Sequence, residues 1–141
     1  MITLGLGSCV GVGLYDPVTK IGGLLHLMLP DSSQFNSVNR PAKFADLGIP
    51  LLIHEMQKTG ASPRRLQAKL VGGAQMFFGR DDSVVLNIGQ RNADKARAVL
   101  KELGIRIMAE DVGGNKGRTM ILDTASGQVT VRMLGSDLKV I

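Results

Sequence analysis

Glycine stands inside the strand-like segments at the start of this chain, at Gly5, Gly7, Gly11, Gly13, Gly22 and Gly23. Glycine within a strand marks a bulge or a place where another backbone comes close. The N-terminal third must therefore bring backbones together more tightly than ordinary side chains allow. Eighteen of the 141 residues are glycine, above average usage, so the pattern is a property of the fold rather than of one loop.

The segments around these glycines read as strands from Ile2 to Leu6, Cys9 to Tyr15 and Lys20 to Leu29. Asp16-Pro17-Val18-Thr19 supplies the turn between the last two, with Asp first and Pro second. A helical pattern follows from Ala42 to Thr59, closed by Gly60, with Pro50 predicting a break near Gly48. Leu66 to Met76 reads as a strand with a glycine pair near its end. Asn92 is placed to cap a helix from Ala93 to Leu103, stopped by Gly104. Three more strands are expected from Ile105 to Glu110, Arg118 to Asp123 and Gln128 to Leu134, the last two joined by a turn at Thr124–Gly127. The expected class is α+β, a single strand-rich domain over 1–141 with two main helices and mostly antiparallel strands.

Composition removes several function classes. Aromatic residues make up 4% of the chain and the net charge of +5 is spread without a Lys/Arg-rich run, so no nucleic-acid platform is expected. The longest mostly apolar run, Ile21 to Leu29, is too short to span a bilayer, and no signal peptide is legible. The expected location is cytoplasmic, with no membrane insertion. With one cysteine and two histidines, neither an internal disulfide nor a metal site with supportive spacing can be assembled. No cofactor is called for.

Cys9 is then either a small buried hydrophobe or a reactive thiol. If Asp16–Thr19 form a symmetric turn, Tyr15 faces Lys20 and Cys9 faces His26 across the hairpin. Opposed residues bring their Cβ atoms to about 5 Å. An imidazole there takes the thiol proton and later protonates a leaving amine. A thiol activated as an ion pair would show a depressed pKa on alkylation below pH 8, which a docking role does not require. The bend at Gly7-Ser8-Cys9 is suited to aiming backbone N–H groups at an oxyanion. Thr3, on the preceding strand, can hydrogen-bond the imidazole, although threonine is also simply a good strand residue. His54 reads as a solvated helix residue. Gly113–Arg118 reads as a strand connection, and Phe77-Phe78 as core or a contact patch.

These blocks together resemble the CheD family of bacterial chemoreceptor glutamine deamidases. The likeness is carried by Thr3-Leu4-Gly5-Leu6-Gly7-Ser8-Cys9-Val10, Tyr15-Asp16-Pro17 and Gly22-Gly23-Leu24-Leu25-His26-Leu27-Met28-Leu29-Pro30. It continues through Lys69 to Phe77, Asn87 to Asn92, Ala109 to Gly114 and Gly117-Arg118-Thr119. The resemblance implies a layered α/β/β sandwich similar to that of deamidating bacterial toxins. It implies Cys9 as nucleophile, His26 as base and Thr3 as the residue orienting it. The implied substrates are glutamines on the cytoplasmic helices of chemoreceptors. CheC, a phosphatase of the response regulator CheY, is an implied partner. Family chains usually carry another strand-rich segment before the Thr3 block, so an edge strand is expected to lie exposed beside the site. Two other readings stand beside the deamidase. One is a module that docks to CheC or to receptor helices with little catalysis. The other is a cysteine esterase acting on receptor methyl esters.

Overall fold

Large and small residues alternate along one central strand, and that alternation sets the layers. The computed structural model describes residues 1–35, 38–76 and 87–141. In chain order the elements are β1 (Ile2–Leu6), β2 (Val10–Asp16), β3 (Ile21–Leu27), α1 (Ala45–Lys58), β4 (Gln67–Gly72), α2 (Ile88–Glu102), β5 (Arg106–Val112), β6 (Arg118–Leu122), β7 (Val129–Met133) and β8 (Lys139–Val140). Two four-stranded sheets form, ordered β3-β2-β4-β5 and β1-β6-β7-β8.

Every residue of β2 is buried, because the first sheet is covered on both faces. Val10, Val12 and Leu14 pack with residues of α1 and α2, including Ile49, Ile53, Ala96 and Leu100. Gly11 and Gly13 face the second sheet. A Cβ on Gly11 would lie 2.8 Å from Met120 Sδ and 3.1 Å from Leu6 Cδ1. The close approach expected from the glycine pattern is thus the contact between two sheets. A separate core of Leu6, Val71, Met120, Leu122, Val129 and Val131 fills it. Helices, sheet, sheet is the α/β/β sandwich expected, with mostly antiparallel strands and one parallel pair, β4 with β5, joined through α2.

Four local expectations are corrected. First, the β2–β3 ladder pairs Asp16 with Ile21, Tyr15 with Gly22 and Gly11 with His26. Cys9 is therefore not opposite His26. The loop is Pro17–Lys20, with Lys20 in the left-handed region at φ 57° and its N–H bonded to Asp16 O at 2.8 Å, and a loop of the same length set one residue later shifts the register by two. Second, α1 runs unbroken through Pro50. Proline at the sixth helical position removes the bond its own N–H would make to the Asp46 carbonyl, one turn in from the start, and the helix continues past it. The expected start at Ala42 belongs instead to a 3-10 turn, Pro41–Lys43. Third, α2 begins at Ile88, so Asn92 is a fully buried interior residue rather than a cap. Tertiary hydrogen bonds claim its amide. Fourth, β8 was not expected, since two residues carry no periodicity.

The strand expected to reach Met76 ends at Gly72, where Gly72 and Gly73 take positive φ values of 112° and 65°. Phe77-Phe78 lie outside the described residues. The Thr124–Gly127 turn forms, closed by Gly127 N–H to Asp123 O at 2.7 Å. Gly113–Gly117 connects β5 in one sheet to β6 in the other. Among the described residues no helix is long and apolar enough to cross a membrane.

Candidate functional site

The chain leaves the second sheet at Leu6 and enters the first at Val10, so Gly7, Ser8 and Cys9 form the crossing between sheets. Three consecutive carbonyls of this crossing are tied down. Ala74 N–H donates to Gly7 O at 2.8 Å, Asn92 Nδ2 to Ser8 O at 2.9 Å, and Gly73 N–H to Cys9 O at 2.8 Å. Gly72 has to be glycine for this: a Cβ there would overlap the Cys9 carbonyl. Arg118, buried between the sheets, supports the same corner by donating to Gly72 O at 3.0 Å and Gly113 O at 2.7 Å.

His26 lies on β3, an edge of the first sheet, and Thr3 on β1, an edge of the second. Both face the space between sheets. Thr3 Oγ1 and His26 Nδ1 are 2.8 Å apart, which is the Thr3 contact expected. This bond occupies Nδ1 and leaves Nε2 as the ring nitrogen for a thiol. An open groove of about 380 Å³ beside them is lined by Met1, Ile2, Thr3, Leu24 and His26. Ile2 and Leu4 on β1 are 57% and 63% exposed, so the edge strand beside the site does present apolar surface.

Cys9 is half-buried and free. Cys9 lies in the crossing just before β2 and packs against the core between the two sheets, the side that His26 also faces. Gly11, directly opposite His26, has no side chain, and the space a Cβ would take there is already bordered by Met120, Leu6 and the Thr3 methyl. Among the described residues no hydrogen bond joins Cys9 Sγ to His26; the imidazole is held by Thr3 instead. Ser8 lines a second, mainly apolar pocket with Ala74, Gln75, Met76 and the first residues of α2, Ile88 and Gly89. His54 is exposed on α1, as expected.

The electrostatics define the resting state. Burial pushes the Cys9 thiol up, partly offset by the Cys9 backbone N–H lying against it. Burial pushes the His26 imidazole down. Both directions favour neutral thiol beside neutral imidazole over a preformed ion pair, which revises the depressed thiol expected from the sequence. Only thiolate is alkylated rapidly, so the sign follows: a raised pKa means less thiolate at pH 7. The second-order rate of Cys9 with iodoacetamide should be low at pH 7 and still rising at pH 9. A rate already at its plateau below pH 7 would indicate an ion pair and contradict this electrostatic picture.

Two residues of this corner were not legible as functional. Asn92 gave a helix-cap signal, and its actual partners, Ser8 and Met28, are distant in sequence. Arg118 was legible as the start of a strand and as part of one block of the resemblance, with no role of its own.

Comparison with known proteins places the chain. Residues 28–133 match the family model described as CheD chemotactic sensory transduction. That span begins after Thr3, Cys9 and His26; the matches that cover 100% of this chain extend over those positions. A protein of Desulforamulus reducens named probable chemoreceptor glutamine deamidase CheD is 67% identical over 141 residues, covering 100% of this chain and 85% of the relative. Proteins of the same name are 54% identical in Clostridium novyi, over 100% of this chain and 87% of the relative, and 52% identical in Clostridium kluyveri, over 99% and 86%.

Proposed function

Since the chain belongs to the CheD family, we propose that it is a chemoreceptor glutamine deamidase in which Cys9 is the nucleophile, His26 the general base and acid, and Thr3 the residue that orients His26. The observation that carries the reading is the Thr3–His26 hydrogen bond at 2.8 Å, on the side of the inter-sheet core against which Cys9 packs. With Nδ1–H donating to Thr3, Nε2 is bare and able to accept a proton.

The chemistry then runs in two stages. As Cys9 Sγ bonds to the glutamine Cδ, its proton passes to His26 Nε2, so a neutral resting pair is the correct starting state. The oxyanion receives the Cys9 N–H, helped by the Gly7-Ser8 bend. The C–N bond breaks, His26 returns the proton to the departing nitrogen, and ammonia leaves a thioester. Water then gives a proton to His26 and adds to the thioester. The C–S bond breaks, the sulfur regains its proton, and glutamate is released. The groove beside His26, with apolar walls from Ile2 and Leu24, suits the aliphatic face of a helix carrying that glutamine.

Chemoreceptor signalling helices lie in the cytoplasm, so that is the compartment of the reaction, and CheC is the partner the same reading assigns. The unclosed, neutral thiol–imidazole pair favours one second reading, docking to receptor or CheC with little turnover. Mass spectrometry of a receptor signalling domain after incubation decides among these. Deamidation adds about one dalton per site, methyl-ester hydrolysis removes about fourteen, and pure docking leaves the mass unchanged. A gain of about one dalton is expected; a loss of about fourteen, or no change, would overturn the deamidase reading.

A further inference from the structure

Asn92 occupies an unusual place for its chemistry. It is fully buried inside α2, where asparagine is a poor helix former, and its Oδ1 has no partner among the described residues. Its Nδ2 donates twice, to Ser8 O at 2.9 Å and Met28 O at 3.0 Å. Both partners are acceptors, so the amide orientation is fixed: a flipped amide would set oxygen against two carbonyls. One side chain thus ties the residue before Cys9 to the residue two beyond His26.

The consequence for the Ser8–Cys9 peptide is geometric. Among the described residues no peptide bond is cis, and in a trans planar peptide the C=O and N–H point in opposite directions. With Ser8 O held toward α2, the Cys9 N–H points away from α2. That N–H lies against the Cys9 thiol, the side on which a reacting carbonyl would sit. We propose that Asn92 is a positioning residue that locks the Ser8–Cys9 peptide so that the Cys9 N–H faces the developing oxyanion. This deepens the deamidase reading and rests on Cys9 being the nucleophile.

The role separates from simple structural support because two thiol reactions differ in one respect. Attack on a carbonyl builds an oxyanion, whereas displacement of iodide from iodoacetamide does not. For the full chain, the ratio of Cys9 acylation by p-nitrophenyl acetate to Cys9 alkylation by iodoacetamide should fall about tenfold or more in Asn92→Ala. The alkylation rate itself should stay within about twofold. Asn92→Leu fills the same space without a donor and should behave alike, which keeps the test open if the alanine variant does not fold. An unchanged ratio in a folded variant overturns the proposal, as does a wild-type Cys9 that alkylates but is not acylated. No receptor is present in this experiment. A wild-type protein that fails to deamidate receptor therefore sinks the deamidase reading separately.

Discussion

Cys9→Ala should lose at least about 10³-fold of its ammonia release from a receptor signalling domain, while melting within a few degrees of the unaltered protein. The loss is large because no other group can form the acyl intermediate; this is the chain's only cysteine. The fold should persist because Cys9 is half-buried at the rim of the smaller core and lies outside both sheets. The carbonyls that hold the crossing belong to the backbone and survive the change. Ammonia measured by an enzyme-coupled assay, beside a thermal melt, checks both halves. A variant that keeps full turnover would remove Cys9 from the mechanism. A variant that loses turnover only by unfolding would leave its chemical role to the acyl-enzyme measurement below.

Asp16→Ala should act in the opposite way, on the fold. The Asp16 carboxylate is fully buried and carries five bonds. Arg65 donates from Nε at 2.9 Å and Nη2 at 2.8 Å, Ser62 N–H donates at 2.9 Å, and the Val18 and Thr19 N–H groups donate at 3.0 and 3.4 Å. One side chain therefore closes the β2–β3 loop and fastens it to the segment between α1 and β4. Removing it strands Arg65 and three amides, and the melting temperature should drop by about 10 °C or more. Arg65 above all, then the Ser62 and Val18 amides, hold the Asp16 carboxyl well below the usual carboxylate range. A depressed folded pKa stabilises at pH values above the unfolded carboxylate value, roughly pH 4, and that contribution drains away as pH falls below it. Asp16→Asn should therefore flatten the acid limb of the stability curve. Urea melts from pH 6 downward test this; an unchanged acid limb would mean that other carboxylates control it.

A close approach at the start of the chain was legible from glycine at alternating strand positions, whereas the layering came from the resemblance. The Val-Gly-Val-Gly run of β2 sends bulk toward the helices and leaves room for Met120 opposite. The hairpin register was not legible. It turns on Lys20 taking a positive φ, and lysine has no special tendency to do so. The shift of two puts Gly11 rather than Cys9 opposite His26 and preserves the side-chain alternation along β2. Thr3 was legible from the residues only as one option beside a plain strand residue, and the resemblance decided for it: its hydroxyl meets His26 across two sheets, and no local pattern reports which edges will adjoin. Asn92 was misread for a related reason. Its capping preference is a local rule, and a buried amide answers to carbonyls far away in sequence. The elements were thus largely written in the chain, whereas the contacts between layers were not.

The central claim is a covalent one, and the acyl-enzyme is its most direct test. The protein is mixed with a receptor peptide containing a target glutamine, quenched in acid within the first turnover, digested and weighed. The fragment holding Cys9 should carry the mass of the receptor peptide less one ammonia, and hydroxylamine should remove the adduct as it does other thioesters. Ammonia release at full rate with no adduct on Cys9, and undiminished in Cys9→Ala, would contradict the mechanism.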